Sequence, residues 1–185
     1  ASGAAVVAPQ IRYFDAPDRV WYGGGTFSRP RAVGVHSASR KSDRAAPSPV
    51  TFVTGCCFLI RAAVVRELGG FEEAFFAYVE DAELSVRLRA AGHTMLYEPR
   101  ARLLHRIKPL AAETAFQIRQ RDLNRRRLVG KHYNLRERAV FAMWFYPTRA
   151  VHLARYLAVG DRARASAIIG GAVGRGEWIG SPQSS

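Results

Sequence analysis

Apolar positions follow two regimes along the chain, short runs broken by Gly, Pro and Asp up to about residue 105 and helical spacing from about residue 111 onward. AAVVAPQIRYF (4–14) opens with an apolar run and continues in β-formers, which predicts a strand and a following extended segment. Residues 15–49 are rich in Asp, Pro, Gly, Ser and Arg, with DAPD, GGG and PSP as turn signals, and read as a long loop with a short strand at Val20–Tyr22. Loops of that length in compact domains are commonly functional lids or else disordered. TFVTGCCFLI (51–60) reads as a buried strand whose Gly55 marks a close backbone approach. RAAVVRELGG (61–70) is a short helix stopped by its glycine pair. A second helix covers 80–92, with acidic residues in its first turn, Leu84, Leu88 and Ala91 on one face, an i,i+4 pair Glu83–Arg87, and Gly92 past its end. HTMLYEP (93–99) and ARLLH (101–105) predict two short strands divided by Pro99. Three helices follow over roughly 111–133, 136–158 and 161–173, so the class is α/β followed by α-helices.

Composition narrows the class. A chain of 185 residues suits one domain or one and a fraction, and 48% hydrophobic with 23% charged residues is the balance of a globular protein. No run of 18 apolar residues occurs; the best stretch, 139–160, is interrupted by Pro147, Arg149, His152 and Arg155. AAVVAP lacks the preceding cation of a signal peptide, and the chain opens on Ala1, which suggests processing or a cut from something longer. Cys56 and Cys57, adjacent and alone, form neither a disulfide framework nor a metal-binding spacing, which suits a cytoplasmic setting. The net charge of +13 is uneven: residues 1–99 carry 11 Lys and Arg against 10 Asp and Glu, residues 100–185 carry 17 against 5. An anionic partner for the C-terminal part is one explanation, and a solvated basic helical surface is the other.

The segment GGFEEAFFAYVEDAELSVRLRAAG (69–92) holds the candidate chemistry. Acidic residues at a helix start have an ordinary explanation, since the helix dipole favours them by about 0.3–1 kcal/mol each. The functional alternative is a carboxylate fixed at a rigid helix start beside a cleft, ionised near neutral pH as an Asp with pKa about 3.9 would be.

Thr54-Gly55-Cys56-Cys57, Gly69-Gly70-Phe71-Glu72-Glu73, Phe75-Phe76-Ala77-Tyr78-Val79-Glu80-Asp81, Gly92, Tyr97-Glu98-Pro99 and His105 occur in that order. The series resembles the acceptor-site signature of family-2 glycosyltransferases, especially the rhamnosyltransferase-like members. It extends back to residues 6–25 and forward to LNRRRLVGKHY (123–133), with Asn124 kept; Glu72 stands where Asp is usual and Leu123 where Arg is usual. The resemblance implies an α/β fold, the C-terminal part of a GT-A nucleotide-diphospho-sugar transferase, over residues 1–110, followed by a basic helical extension over 111–185. It implies an inverting displacement in which Asp81 is the general base and Glu80 places the acceptor or Asp81. Thr54 and Gly55 would shape the acceptor floor, with strand packing the alternative. His105 would face the metal and the donor diphosphate. Trp21, with Tyr22, would stack on a sugar, against the alternative of core or lid packing.

The family's Asp-x-Asp, which holds a divalent cation (Mg²⁺ or Mn²⁺), does not occur; Asp15-Ala-Pro-Asp18 and Glu80-Asp81-Ala-Glu83 are the nearest approaches. The resemblance therefore places the donor-binding half before Ala1, and this chain is expected neither to bind a nucleotide sugar tightly nor to turn over alone. The expected partners are a nucleotide-diphosphate sugar such as a rhamnosyl donor, a saccharide or polyprenyl-diphosphate-linked acceptor of cell-wall or surface polysaccharide synthesis, and an anionic membrane at the inner face of the plasma membrane. The membrane expectation rests on Arg119, Arg121, Arg125, Arg126, Arg127 and Lys131 beside Met143-Trp144-Phe145-Tyr146 and then Arg149 and Arg155; a solvated helix followed by a core-packing aromatic patch is the alternative. Two other readings are a catalytically inactive saccharide-binding remnant and a basic nucleic-acid-binding module. The latter has no nucleic-acid motif and leaves the Glu80-Asp81 block idle.

Overall fold

Val6, Ala8 and Ile11 are fully buried along β1 (Val6–Tyr13), which makes this strand the spine of the sheet in the computed structural model. The structure describes residues 3–37, 46–106 and 113–174. β1 runs parallel to β7 (Met95–His105) on one side. On its other edge it pairs antiparallel with β2 (Val20–Tyr22) and with β6 (Leu59–Ile60). β5 (Ser48–Val50) closes the far edge against β7, giving the order β2-β1-β7-β5.

The sheet is mixed, with β1 and β7 parallel and the other described pairings antiparallel. β1 and β7 are far apart in sequence, with β2, β5 and β6 between them, and the connection from β6 into β7 carries α1 (Ala62–Leu68) and α2 (Glu80–Ala90). The two strands expected on either side of Pro99 are one strand. Pro9 faces Glu98 while Gln10 faces Arg102, so three residues bulge out of the ladder, and Pro99, which has no N–H to lose, sits in that bulge. Of the strand expected over 51–60, only Leu59–Ile60 pairs. Phe52, Val53 and Thr54 are buried as expected, but their segment bonds elsewhere: Thr51 and Phe52 donate to the Gly25 carbonyl and Val53 to Ser85 Oγ.

The stretch read as a long loop contains a hairpin of β3 (Gly25–Ser28) and β4 (Val33–His36). Its glycines read as turn signals, yet Gly25 and Gly34 serve close packing. A Cβ on Gly25 would lie 2.7 Å from the Phe52 ring, and one on Gly34 would overlap the same ring.

The C-terminal helices are α3 (Ala115–His132), α4 (Leu135–Ala158) and α5 (Arg162–Val173); the first residues of the helix expected from 111 lie outside the described ones. Thr114 with Gln117 and Asn134 with Glu137 form capping boxes at the starts of α3 and α4. α1 ends at Gly69 in the left-handed conformation, as its glycine pair predicts. Leu128, Val129, Tyr133, Phe141 and Phe145 join the same buried cluster as the sheet and α2, so the core runs on past residue 110. The Glu83–Arg87 pair forms at 2.8 Å, and fully buried Glu83 also meets His132 at 2.9 Å, tying α2 to α3. Among the described residues no helix is long and apolar enough to cross a membrane.

Candidate functional site

The chain enters α2 through a strained turn. Phe76, Tyr78 and Val79 have positive φ of 49°, 65° and 72°, sparsely populated backbone that costs a non-glycine residue about 1–3 kcal/mol. Two devices hold it. The Phe75 ring is fully buried beneath the turn, and Asn124 of α3 aims its amide at the turn's carbonyls. Asn124 Nδ2 donates to Phe75, Ala77 and Tyr78 at 2.6, 2.8 and 2.8 Å, its two hydrogens shared among three acceptors. Gln120 adds a bond to the Phe75 carbonyl and Arg127 one to that of Ala74.

The turn delivers Glu80 and Asp81 as the first residues of α2. Asp81 Oδ2 accepts the backbone N–H of Gly55 at 2.9 Å and Oδ1 that of Ala82 at 2.8 Å, so the carboxylate is fixed at both oxygens. Burial raises its pKa above the usual Asp value, opposed in part by these two N–H groups and by His36. Burial also raises Glu80, with the neighbouring Asp81 charge adding to it, and Glu80 Oε2 is buried without a hydrogen-bond partner among the described residues. Both carboxyls are thus stronger proton acceptors than solvated ones.

Gly55 is exposed, and a Cβ there would lie 3.4 Å from Asp81 Cβ and 3.6 Å from a carboxylate oxygen of each acid. The residue therefore stands beside both. Thr54 is buried, and its Oγ1 accepts from the Cys56 N–H. Trp21 is half-buried as an edge-on wedge between His36, 4.6 Å away, and His105, 5.1 Å away. His105 ends β7 opposite Tyr13. The structure thus groups Asp81, Glu80 and Gly55, and separately groups Trp21 with His105. Among the described residues no group of three or more His, Cys, Asp or Glu is arranged to hold a metal ion.

A cleft of 460 Å³ opens beside Asp81. Asp81, His36 and Phe52 line it together with Arg121, Arg125 and Arg149. His36 was not legible as a site residue, because the hairpin that positions it was read as loop. Its ring packs against Tyr22 and Phe52 as well as Trp21, and burial lowers its pKa. The arginines correct a second expectation. Arg125 and Arg149, taken for a basic surface, are 2% and 8% exposed because a fully buried carboxylate, Asp122, pairs with both. Phe145 is fully buried and Trp144 lies under Arg31 and Arg125, so these aromatics pack inward.

A family model described as "Glycosyltransferase like family 2" matches residues 5–128, more than half of the chain. An N-acetylglucosaminyl-diphospho-decaprenol L-rhamnosyltransferase of Mycobacterium tuberculosis is 40% identical over 67 residues, 35% of this chain and 22% of that protein. A pre-mycofactocin glycosyltransferase of the same species is 34% identical over 79 residues, 40% of this chain and 17% of that one. The O-antigen biosynthesis protein RfbC of Myxococcus xanthus is 40% identical over 53 residues, 29% of this chain and 4% of that protein. The chain thus matches less than a quarter of the length of each of these relatives.

Proposed function

Since the chain belongs to the glycosyltransferase-like family 2, with the α/β fold of a GT-A domain, we propose that it carries the acceptor side of an inverting sugar transfer with Asp81 as general base. The observation that carries this reading is the fixation of Asp81. A strained turn, clamped from α3, presents its carboxylate to the cleft, and two backbone N–H groups orient it. In the reaction the acceptor hydroxyl oxygen attacks the anomeric carbon while its proton passes to a free lone pair of the Asp81 carboxylate. The bond from that carbon to the diphosphate oxygen breaks, and its electron pair leaves with the diphosphate. One positioned base suffices for inversion. Glu80, beside it, positions the acceptor, and the Gly55 N–H holds Asp81 in place.

The relative named for rhamnosyl transfer to a decaprenol-linked diphosphate supports a rhamnose-like donor and a polyprenyl-diphosphate-linked acceptor in surface polysaccharide synthesis. A divalent cation, Mg²⁺ or Mn²⁺, belongs to this reading as the partner of the donor diphosphate. His105, packed against Trp21, would be one nitrogen ligand, but among the described residues no group of three or more His, Cys, Asp or Glu is arranged to complete such a site. The deciding experiment assays the enzyme containing this segment with thymidine- and uridine-diphosphate sugars and a polyprenyl-diphosphate saccharide, reading anomeric configuration in the product. Retention of configuration would remove the single-base reading.

A separate observation supports peripheral attachment to an anionic membrane. The outward face of α4 is apolar, with Val140, Met143, Tyr146, Val151 and Leu157 between 48% and 77% exposed, and Arg136 and Arg155 lie on or beside it. Amphipathic helices of this kind lie in the membrane interface, which here would be the inner face of the plasma membrane.

A further inference from the structure

Tyr78 stands where two hollows of the surface meet. It lines the cleft that holds Asp81, and its ring meets that of Phe116 edge-on at 6.3 Å. Phe116 in turn lines a second groove, of 420 Å³, between α3 and α5. An aromatic pair therefore joins the cleft to the groove, and both rings reach solvent, Tyr78 at 37% and Phe116 at 55% exposure. Tyr78 is held there by the turn of positive φ, which also turns Phe76 outward. Strained backbone of this kind clusters at functional sites, and contiguous exposed apolar surface marks contact with an apolar partner.

The lining of the groove is apolar for a reason visible in the sequence. α5 contributes Ala163, Ser166, Ala167 and Gly170, a spacing of i, i+3, i+4 and i+7 that puts all four on one helix face. None has a side chain larger than a hydroxymethyl group, so this face leaves open the space that Ala115 and Phe116 bound from α3. Arg119 also lines it, and the alkyl stem of an arginine packs along apolar surface. Beneath the groove Ile118, Ala167 and Ile168 form a buried cluster of their own, on which Leu153 and Tyr156 of α4 pack. The floor is therefore fixed by packing. A saccharide needs several convergent polar groups, which this lining does not offer, whereas a hydrocarbon chain needs none.

We propose that the groove between α3 and α5 receives the isoprenoid chain of a lipid-linked acceptor whose saccharide end lies in the Asp81 cleft. The occupant follows from the continuity of the two hollows. An acceptor that reaches Asp81 and carries an apolar tail has the Tyr78–Phe116 pair as its apolar way out of the cleft. The inference rests on the reading of Asp81 as the base toward a polyprenyl-linked acceptor, but its test reads chain binding and not turnover.

The full chain is titrated calorimetrically with farnesol, an isoprenoid alcohol without sugar or phosphate, below its aggregation concentration. Saturable binding is expected. Ser166→Phe fills the groove from an exposed position, and Gly170→Leu fills it while raising helix propensity. Each should weaken farnesol binding by about tenfold or more at intact melting temperature, because a filled cavity excludes the chain. Phe116→Ala should weaken it by about three- to tenfold, the scale of one aromatic contact. Asp81→Asn and Met143→Ser should bind farnesol as the native chain does, which separates the groove from the base and from the outward face of α4. No saturable binding, native affinity in both groove-filling variants, or dodecanol bound as tightly as farnesol overturns the proposal. A dimer in analytical ultracentrifugation that Ser166→Phe dissociates would give the groove to a second copy and overturns it as well. The two failures are distinguishable, since absent farnesol binding removes the groove alone and native turnover in Asp81→Asn removes the base alone.

Discussion

The backbone N–H of Gly55 donates to Asp81 Oδ2 at 2.9 Å, joining an irregular buried segment to the first turn of the helix that follows it by 25 residues in sequence. This bond, with the Ala82 N–H on the other oxygen, makes Asp81 a carboxylate of fixed orientation. The catalytic expectations begin there.

Asp81→Asn should preserve the fold, because an amide occupies the same volume and its oxygen still accepts one of the two N–H groups. Turnover of the enzyme containing this segment should fall by about 10²–10⁴, the usual worth of a positioned base. Steady-state kinetics with a saturating donor measures it. A variant with most of its native turnover would remove Asp81 from the mechanism.

The pH profile follows from the direction of the shift. Burial holds the Asp81 carboxyl above 3.8, and the base works only when ionised. Activity should therefore be full at higher pH and fall as pH drops through that raised value. The acidic limb of kcat/KM should lie above the ordinary Asp range. His36 is held below 6.5 by burial, so its cation, which would favour ionised Asp81, forms only at the acidic end. His36→Asn should move the acidic limb upward or leave it in place; a downward move would contradict the placement of His36 beside the base.

Asn124 acts on the base through the turn. Replacing it with Ala leaves the carbonyls of Phe75, Ala77 and Tyr78 without their donor, and unsatisfied buried polar groups cost about 1–3 kcal/mol. The melting temperature should drop and kcat should fall by about tenfold or more, since small misplacements of a reacting group are expensive. The pKa read from the acidic limb should also move, which a loss of global stability alone would not cause. Thermal melts and a pH–rate series on one preparation separate the two effects.

Much of the local structure around Glu80 and Asp81 was legible in the sequence, and the limits of that reading have physical reasons. The Glu80-Asp81 helix start, the Gly69 stop and the three C-terminal helices carry local signals, whether caps, glycines or 3.6-residue spacing, and those need no knowledge of distant contacts. The β3–β4 hairpin was missed because its glycines read as turn punctuation, whereas Gly25 and Gly34 are small in order to admit the Phe52 ring. Gly34→Ala should accordingly cost about 1–3 kcal/mol through overpacking, measurable by denaturant titration. Arg125 and Arg149 were misread for the same kind of reason. An arginine run reads as solvated until a buried partner is known, and Asp122 lies between the two in space while Arg149 is 27 residues away from it in sequence.

Within the cluster that first suggested it, membrane attachment should depend on Met143 and Tyr146 rather than on Trp144 and Phe145. Phe145 is buried in the core and Trp144 is covered by two guanidinium groups, so neither is available to a bilayer. The outward face of α4 offers Met143 at 77% exposure and Val151 at 60%, between arginines on both sides. Each cation near an anionic surface contributes about 1 kcal/mol, and the apolar face adds its own burial. Sedimentation with phosphatidylserine-containing vesicles should show binding that weakens with salt, and vesicles of phosphatidylcholine alone should bind less. Met143→Ser with Val151→Ser should reduce binding while leaving the melting temperature unchanged, since both side chains already face solvent. Equal sedimentation with neutral and anionic vesicles, or native binding by the double variant, would take this face out of contact with the membrane.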